Sequence, residues 1–212
     1  MQTQQNIIKA YNETATEYAA KFINELSKKH LDRILLKQFA EENKSKGGMI
    51  DLGCGPGQTT KFLFGCGVKN ITGTDISPGM VAKAQQLNPQ IKFEVTDMLQ
   101  LQYRDKTFAS AVAFYAIVHF NYEQVKIALK EISRVLIDKG QFLFSFHIGE
   151  EVVHVDNFLG KNVTLDFHFF KTEKILELLH ECGFTIIDVI ERQPYKDVEY
   201  PSKRAYIWVE KE

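Results

Sequence analysis

The stretch Met49-Ile50-Asp51-Leu52-Gly53-Cys54-Gly55-Pro56-Gly57-Gln58-Thr59-Thr60 constrains the fold more than any other part of the chain. A short apolar strand runs into three glycines at alternate positions and then into a helix. Glycine lets the backbone turn sharply there and come close to a ligand that side chains would exclude. In an open parallel sheet, the first strand–helix loop borders the point where strand order reverses and ligands bind. Two common nucleotide sites are excluded by the spacing. A dinucleotide fingerprint would need glycine where Gln58 stands, and a phosphate loop would need Gly-Lys-Ser/Thr, which is absent.

Around this loop the apolar pattern alternates between two periods. Runs at 49–52, 70–76, 91–96, 108–116 and 141–147 read as strands, and amphipathic stretches at 59–65, 78–86 and 122–136 read as helices. A helix over 172–182 follows, with Thr172 as its N-cap and Gly183 as its C-cap, then strands at 185–190 and 205–209. Such alternation predicts an α/β fold with a mostly parallel sheet covered on both faces. Only a loop through Pro194 and Pro201 joins the last two strands, which are therefore antiparallel to each other at one edge. Before the glycine loop, apolar residues from Ile7 to Phe39 recur at helical spacing and predict two helices broken between Asn12 and Tyr18.

At 212 residues the chain fits one domain. We divide it into a helical N-terminal cap (1–46), a ligand-binding core (47–148), a lid-like insertion (149–170) and a C-terminal helix with a strand pair (171–212). The net charge of −1 argues against a polybasic nucleic-acid binder. No run reaches 18 apolar residues, and 1–6 has no basic segment leading into an apolar core, so neither a membrane span nor a secretory signal is expected. Three cysteines without a Cys-x-x-Cys pair read as reduced thiols in a cytoplasmic protein.

Gly-x-Gly-x-Gly preceded by an acid, with Asp75 and Asp97 closing the next two strands, resembles the class I S-adenosylmethionine-dependent methyltransferases. Residues 131–140 and Gly183-Phe184 match the family's later helix, turn and strand step. The resemblance implies a Rossmann-like sheet of seven strands with helices on both faces, an antiparallel last strand, and S-adenosylmethionine as cofactor, leaving S-adenosylhomocysteine as product. It implies that Asp75 binds the ribose diol and that Asp97, with Met98 beside it, binds the adenine. Asp51, Gly53, Cys54, Gly55, Gly57, Ile76, Met80, Phe114 and Tyr115 fall in the implied cofactor site, Cys54 as a small loop residue. Tyr11 and Tyr18, seven apart, would fold over cofactor and acceptor from one helical face. One departure stands out: many members have Asp after the aromatic that opens the fourth strand, whereas Phe108 is followed by Ala109.

Methyl transfer needs an acceptor held in line with the methyl group, and proximity alone is worth roughly 7–11 kcal/mol of barrier. Candidate proton acceptors are His119, after the fourth strand, and His147, which ends the fifth. His154 and His168 lie in the insertion, where a metal site is conceivable but a hairpin packed over the cleft is the plainer expectation; no metal is assigned. His30 and His180 read as surface or structural residues; Arg204 and Tyr206, at the last strand, could reach a substrate, with a solvated edge as the plainer expectation. The expected function is methyl transfer to a small molecule by a monomer or homodimer. No nucleic-acid or membrane partner is expected. A protein or RNA methyltransferase and a non-catalytic S-adenosylmethionine-binding protein are the alternatives.

Overall fold

The computed structural model describes residues 3–212. Met1 and Gln2, part of the stretch read for a secretory signal, lie outside the described residues. Helix α1 spans Gln4–Phe22 and starts at a capping box in which the Thr3 side chain accepts from the Asn6 amide. It buries Ala10, Thr14, Ala15 and Ala19 along one stripe. The break expected between Asn12 and Tyr18 is therefore absent. Thr14, the polar residue on that stripe, donates its hydroxyl to the Ala10 carbonyl at 2.8 Å, so the stripe stays closed. The chain turns instead at a short 3₁₀ segment, Glu25–Lys28, before α2 (His30–Asn43).

From there strands and helices alternate: β1 (Met49–Leu52), α3 (Gln58–Gly65), β2 (Ile71–Asp75), α4 (Pro78–Leu87), β3 (Lys92–Val95), β4 (Phe108–Phe114), α5 (Tyr122–Val135) and β5 (Leu136–His147). Ser77 caps α4 by accepting from the Met80 amide, with Pro78 in the first turn. Asn121 and Gln124 form a second capping box on α5. A two-stranded hairpin follows, β6 (Val152–Val155) paired antiparallel with β7 (Leu165–His168). The chain ends with α6 (Thr172–Glu181), β8 (Phe184–Arg192) and β9 (Arg204–Lys211). Lys171, not Thr172, is the N-cap of α6; the Thr172 hydroxyl donates to Glu191 at 2.5 Å. Gly183, with φ +77°, ends the helix as expected.

The main sheet has seven strands in the order β3-β2-β1-β4-β5-β9-β8. β9 runs opposite to the other six strands, and order reverses between β1 and β4. Successive residues face opposite sides of the sheet. Ile50, Leu52, Phe142, Phe144 and Phe146 pack with α5 and α6 on one face, while Met49, Val112, Leu143 and Trp208 pack with α2, α3 and α4 on the other. Because β9 lies between β5 and β8, Arg204 and Tyr206 are 2% and 1% exposed. The solvated edge expected for them is thus corrected. Among the described residues no helix is long and apolar enough to cross a membrane.

Candidate active site

The carboxyl ends of β1, β2, β4 and β5 open on one cavity of about 980 Å³, at the upper end of the range of ligand sites. The glycine loop forms part of its wall. Gly53 has φ +65°, and a Cβ there would lie 2.5 Å from the Cβ of Ala116, so both conformation and packing demand glycine. Gly55 has φ +52°, and a Cβ there would meet only Tyr18 Cε1, at 3.7 Å. Asp75 fastens this loop: its Oδ2 accepts the Gly55 amide at 2.9 Å and its Oδ1 the Ser77 amide at 2.9 Å. Burial raises the Asp75 carboxyl above its usual range, against these two bonds. Asp51 accepts from the Thr60 hydroxyl at 2.5 Å, and burial pushes its pKa up to about 7. Cys54 is buried with a free thiol that burial pushes up.

Ile76, Met80 and Met98 line the same end of the cavity, and Asp97 lies just beyond β3. Asp97 Oδ1 accepts the Leu99 amide at 2.8 Å, and Oδ2 accepts the Gln4 side-chain amide at 2.6 Å. Gln4 is a contact the sequence did not announce, since it comes from the first turn of α1. Gln58, at the start of α3, faces the cavity with its side-chain carbonyl oxygen buried and unpartnered. A half-buried acid, a second acid, an open glycine bend and this orphaned oxygen together fit the adenosyl compound implied by the resemblance.

Tyr11 and Tyr18 complete the wall, 5.9 Å apart edge to face, with Phe158 of the β6–β7 loop against both. His119 sits among them, sandwiched by Tyr11 and Phe167. Its Nδ1 lies 2.8 Å from the Asp166 carbonyl, which can only accept, so Nδ1 carries the proton. Its Nε2 lone pair consequently takes the Tyr11 hydroxyl at 2.7 Å. Burial lowers its pKa to about 4. The basic nitrogen of His119 is therefore engaged by Tyr11.

Beyond β4 and β5 the cavity changes character. Phe114 and Tyr115 both line it, and Tyr115 adopts φ +55°, a conformation that costs a bulky residue. Its ring lies 5.2 Å from His147, which stacks on Phe169 at 5.0 Å. His147 Nδ1 pairs with the Ser202 hydroxyl at 2.7 Å, and burial, with Arg204 and Lys29 nearby, lowers its pKa to about 3. Behind it is an ionic cluster. Arg192 bridges Glu199 at 2.7 Å and Asp32 at 3.0 Å, and Arg204 Nε lies 3.2 Å from Glu199. Tyr206 donates to Asp32 at 2.7 Å, so the Tyr115 hydroxyl, 3.0 Å from it, donates to Tyr206.

Not every candidate histidine joins the site. His168 lines the cavity, whereas His154 is exposed on the hairpin and bonded to Asp166 at 2.6 Å, which raises its pKa. His30 packs edge-on to Tyr195, away from the cavity, and His180 lies in the last turn of α6. Among the described residues no group of three or more His, Cys, Asp or Glu side chains is arranged to hold a metal ion.

Comparison with known proteins agrees with this geometry. Residues 49–140 match a family described as a methyltransferase domain. An uncharacterized protein of Methanocaldococcus jannaschii is 32% identical over 129 residues, which is 59% of this chain and 47% of that protein. Human "Probable tRNA methyltransferase 9B" is 32% identical over 128 residues, 60% of this chain and 27% of that protein. The chain thus spans less than half the length of these relatives. Among solved structures, magnesium protoporphyrin IX methyltransferase from Synechocystis, crystallised with bound SAM, superposes with a TM-score of 0.76. That likeness covers 100% of this chain and 98% of the other at 16% identity, and so speaks for the fold. Residues 49–140 thus resemble a methyltransferase domain, and the whole chain shares the fold of that solved methyltransferase.

Proposed function

We propose that the protein uses S-adenosylmethionine to methylate a small-molecule acceptor. The observation that carries this reading is the single cavity with two unlike ends: acids and a glycine bend at one, aromatic rings and an ionic cluster at the other. Asp75, Asp97, Gln58 and the open bend at Gly55 would hold the cofactor, which when bound supplies a methyl group on a sulfonium. Asp75 remains fastened to Gly55 and Ser77, so its acceptor atoms are positioned before a ligand arrives. Tyr11, Tyr18, Phe158 and Phe167 narrow the middle of the cavity and exclude water. His147 stays neutral at physiological pH, and its Nε2 has no hydrogen-bond partner among the described residues. It is the better placed of the two histidines to take a proton from an acceptor, since His119 already uses its lone pair on Tyr11.

A macromolecular acceptor is the second reading, favoured by the relative whose name includes tRNA. Against it stand the near-neutral charge and the aromatic rings of Tyr11, Tyr18, Tyr115, Phe158, Phe167 and Phe169 that line the cavity. The test is methyl transfer from labelled S-adenosylmethionine into a cell extract separated into small molecules, RNA and protein. Label is expected in the small-molecule fraction. Label confined to RNA or protein, or no transfer at all, would refute the proposal.

A further inference from the structure

Resting on that reading, we infer that Asp32 selects the acceptor: its unpartnered carboxylate oxygen receives a hydrogen-bond donor, a hydroxyl or an ammonium group, carried by the compound to be methylated. Asp32 lies in the first turn of α2 and is 1% exposed, yet it lines the cavity. Its structural work is done by one atom. Oδ1 accepts from both Arg192, at 3.0 Å, and Tyr206, at 2.7 Å, and so ties α2 to β8 and β9. Oδ2 is buried and has no partner among the described residues. Anchoring α2 therefore accounts for half of the carboxylate and leaves the other half unexplained. A buried polar atom without a partner is costly, and natural proteins keep few of them.

The surroundings decide which ligand chemistry fits. Lys29, Arg192 and Arg204 face Glu25, Glu199 and Asp32 across this end, three cations against three anions. Net charge thus favours neither sign, and recognition falls to whichever atoms remain unpaired. The Arg204 guanidinium donates to the Ser202 carbonyl and, at 2.9 Å, to that of Tyr200. Glu199 is held by Arg192 and by the Tyr195 amide at 2.7 Å. The Lys29 ammonium is held by Glu25 at 2.7 Å and lies over the Tyr115 ring. Arg192 Nε and Arg204 Nε are also buried without hydrogen-bond partners, but Arg204 Nε faces Glu199 at 3.2 Å and Arg192 does not line the cavity, so Asp32 Oδ2 is left as the unpaired acceptor at this wall. An acceptor that brings a carboxylate to it is repelled, and one that brings only hydrocarbon leaves it unsatisfied.

The experiment loads the protein with S-adenosylhomocysteine and titrates 2-phenylethylamine, 2-phenylethanol and 3-phenylpropionate, followed by ligand-observed NMR. At least one donor-bearing probe is expected to bind roughly tenfold or more tightly than the carboxylate, the scale of one charge-assisted hydrogen bond. The amine and alcohol arms separate the two sources of the donor. In Asp32→Asn, whose amide can present N–H to the cavity, the preference is expected to shrink or reverse while S-adenosylhomocysteine binds as before. Equal or tighter binding of 3-phenylpropionate by the wild type, or no binding of either donor-bearing probe, overturns the inference. So does an unchanged order in a folded Asp32→Asn. If that variant does not fold, the wild-type order alone decides. Failure of the wild type to bind S-adenosylhomocysteine overturns the methyltransferase reading itself, and this inference with it.

Discussion

Replacing Asp75 by alanine tests the site at the point where its parts are joined. The substitution removes the acceptors of the Gly55 and Ser77 amides, both at 2.9 Å, and leaves two donors without partners beside the glycine loop. It also removes the carboxylate proposed to bind a ribose diol. A hydrogen bond to a charged group contributes about 1.5–3 kcal/mol, which is roughly a 10- to 150-fold change in a dissociation constant. Calorimetric titration with S-adenosylhomocysteine should therefore show weakening of that order. Asp75→Asn should not rescue it, because an amide NH2 would meet one of the two backbone N–H groups. Thermal unfolding of the same samples separates lost affinity from lost fold. An Asp75→Ala protein that unfolds normally and binds within about threefold of wild type would refute the placement of the diol at Asp75.

The other expectations follow from single contacts. Gly53→Ala forces a Cβ to 2.5 Å from Ala116 at φ +65°, and urea unfolding should show a loss of about 1–3 kcal/mol or more; an unchanged midpoint would contradict the packing described. Asp51 holds its proton to about pH 7 when folded, against 3.8 unperturbed. The folded state then binds more protons than the unfolded one between those values, so stability relative to Asp51→Asn should fall as pH rises from 4 to 7 and level off above. A difference that is flat across that window would sink this assignment. His119 and His147, with pKa values of about 4 and 3, should stay neutral in NMR titrations down to pH 5. Tyr11→Phe should free the Nε2 lone pair of His119 and shift its ring signals, and an unmoved spectrum would disprove the Tyr11–His119 bond.

What could be read from the chain was what lies close together along it. The glycine loop, the acid at the end of β2 and the glycine that ends α6 each act within a few residues, so their spacing carries their structure. The start and end of β1 coincide with the apolar run that announced it. The ionic cluster was illegible for the opposite reason. Asp32 and Arg192 are 160 residues apart, and nothing near either one signals the other. The last two strands do lie at one edge, but nothing near Arg204 and Tyr206 tells which of the two is inside, and β9 lies between β5 and β8. The break in α1 was misplaced because the polar residues of 12–18 resemble a loop, while the true turn at 25–28 contains neither glycine nor proline. Gln4, bonded to Asp97 across 93 positions, had no local signal at all.

Tyr115 is a spring held under load. Its left-handed backbone at φ +55° costs on the order of 1–3 kcal/mol, and its neighbours keep it wound. Its amide is anchored to Ser145 at 3.0 Å, its hydroxyl to Tyr206, and the Lys29 ammonium sits 4.8 Å above its ring. Glycine would unwind the backbone at this position but would take the ring away from His147. Relaxing the backbone here with glycine therefore gives up the ring that lines the cavity beside His147.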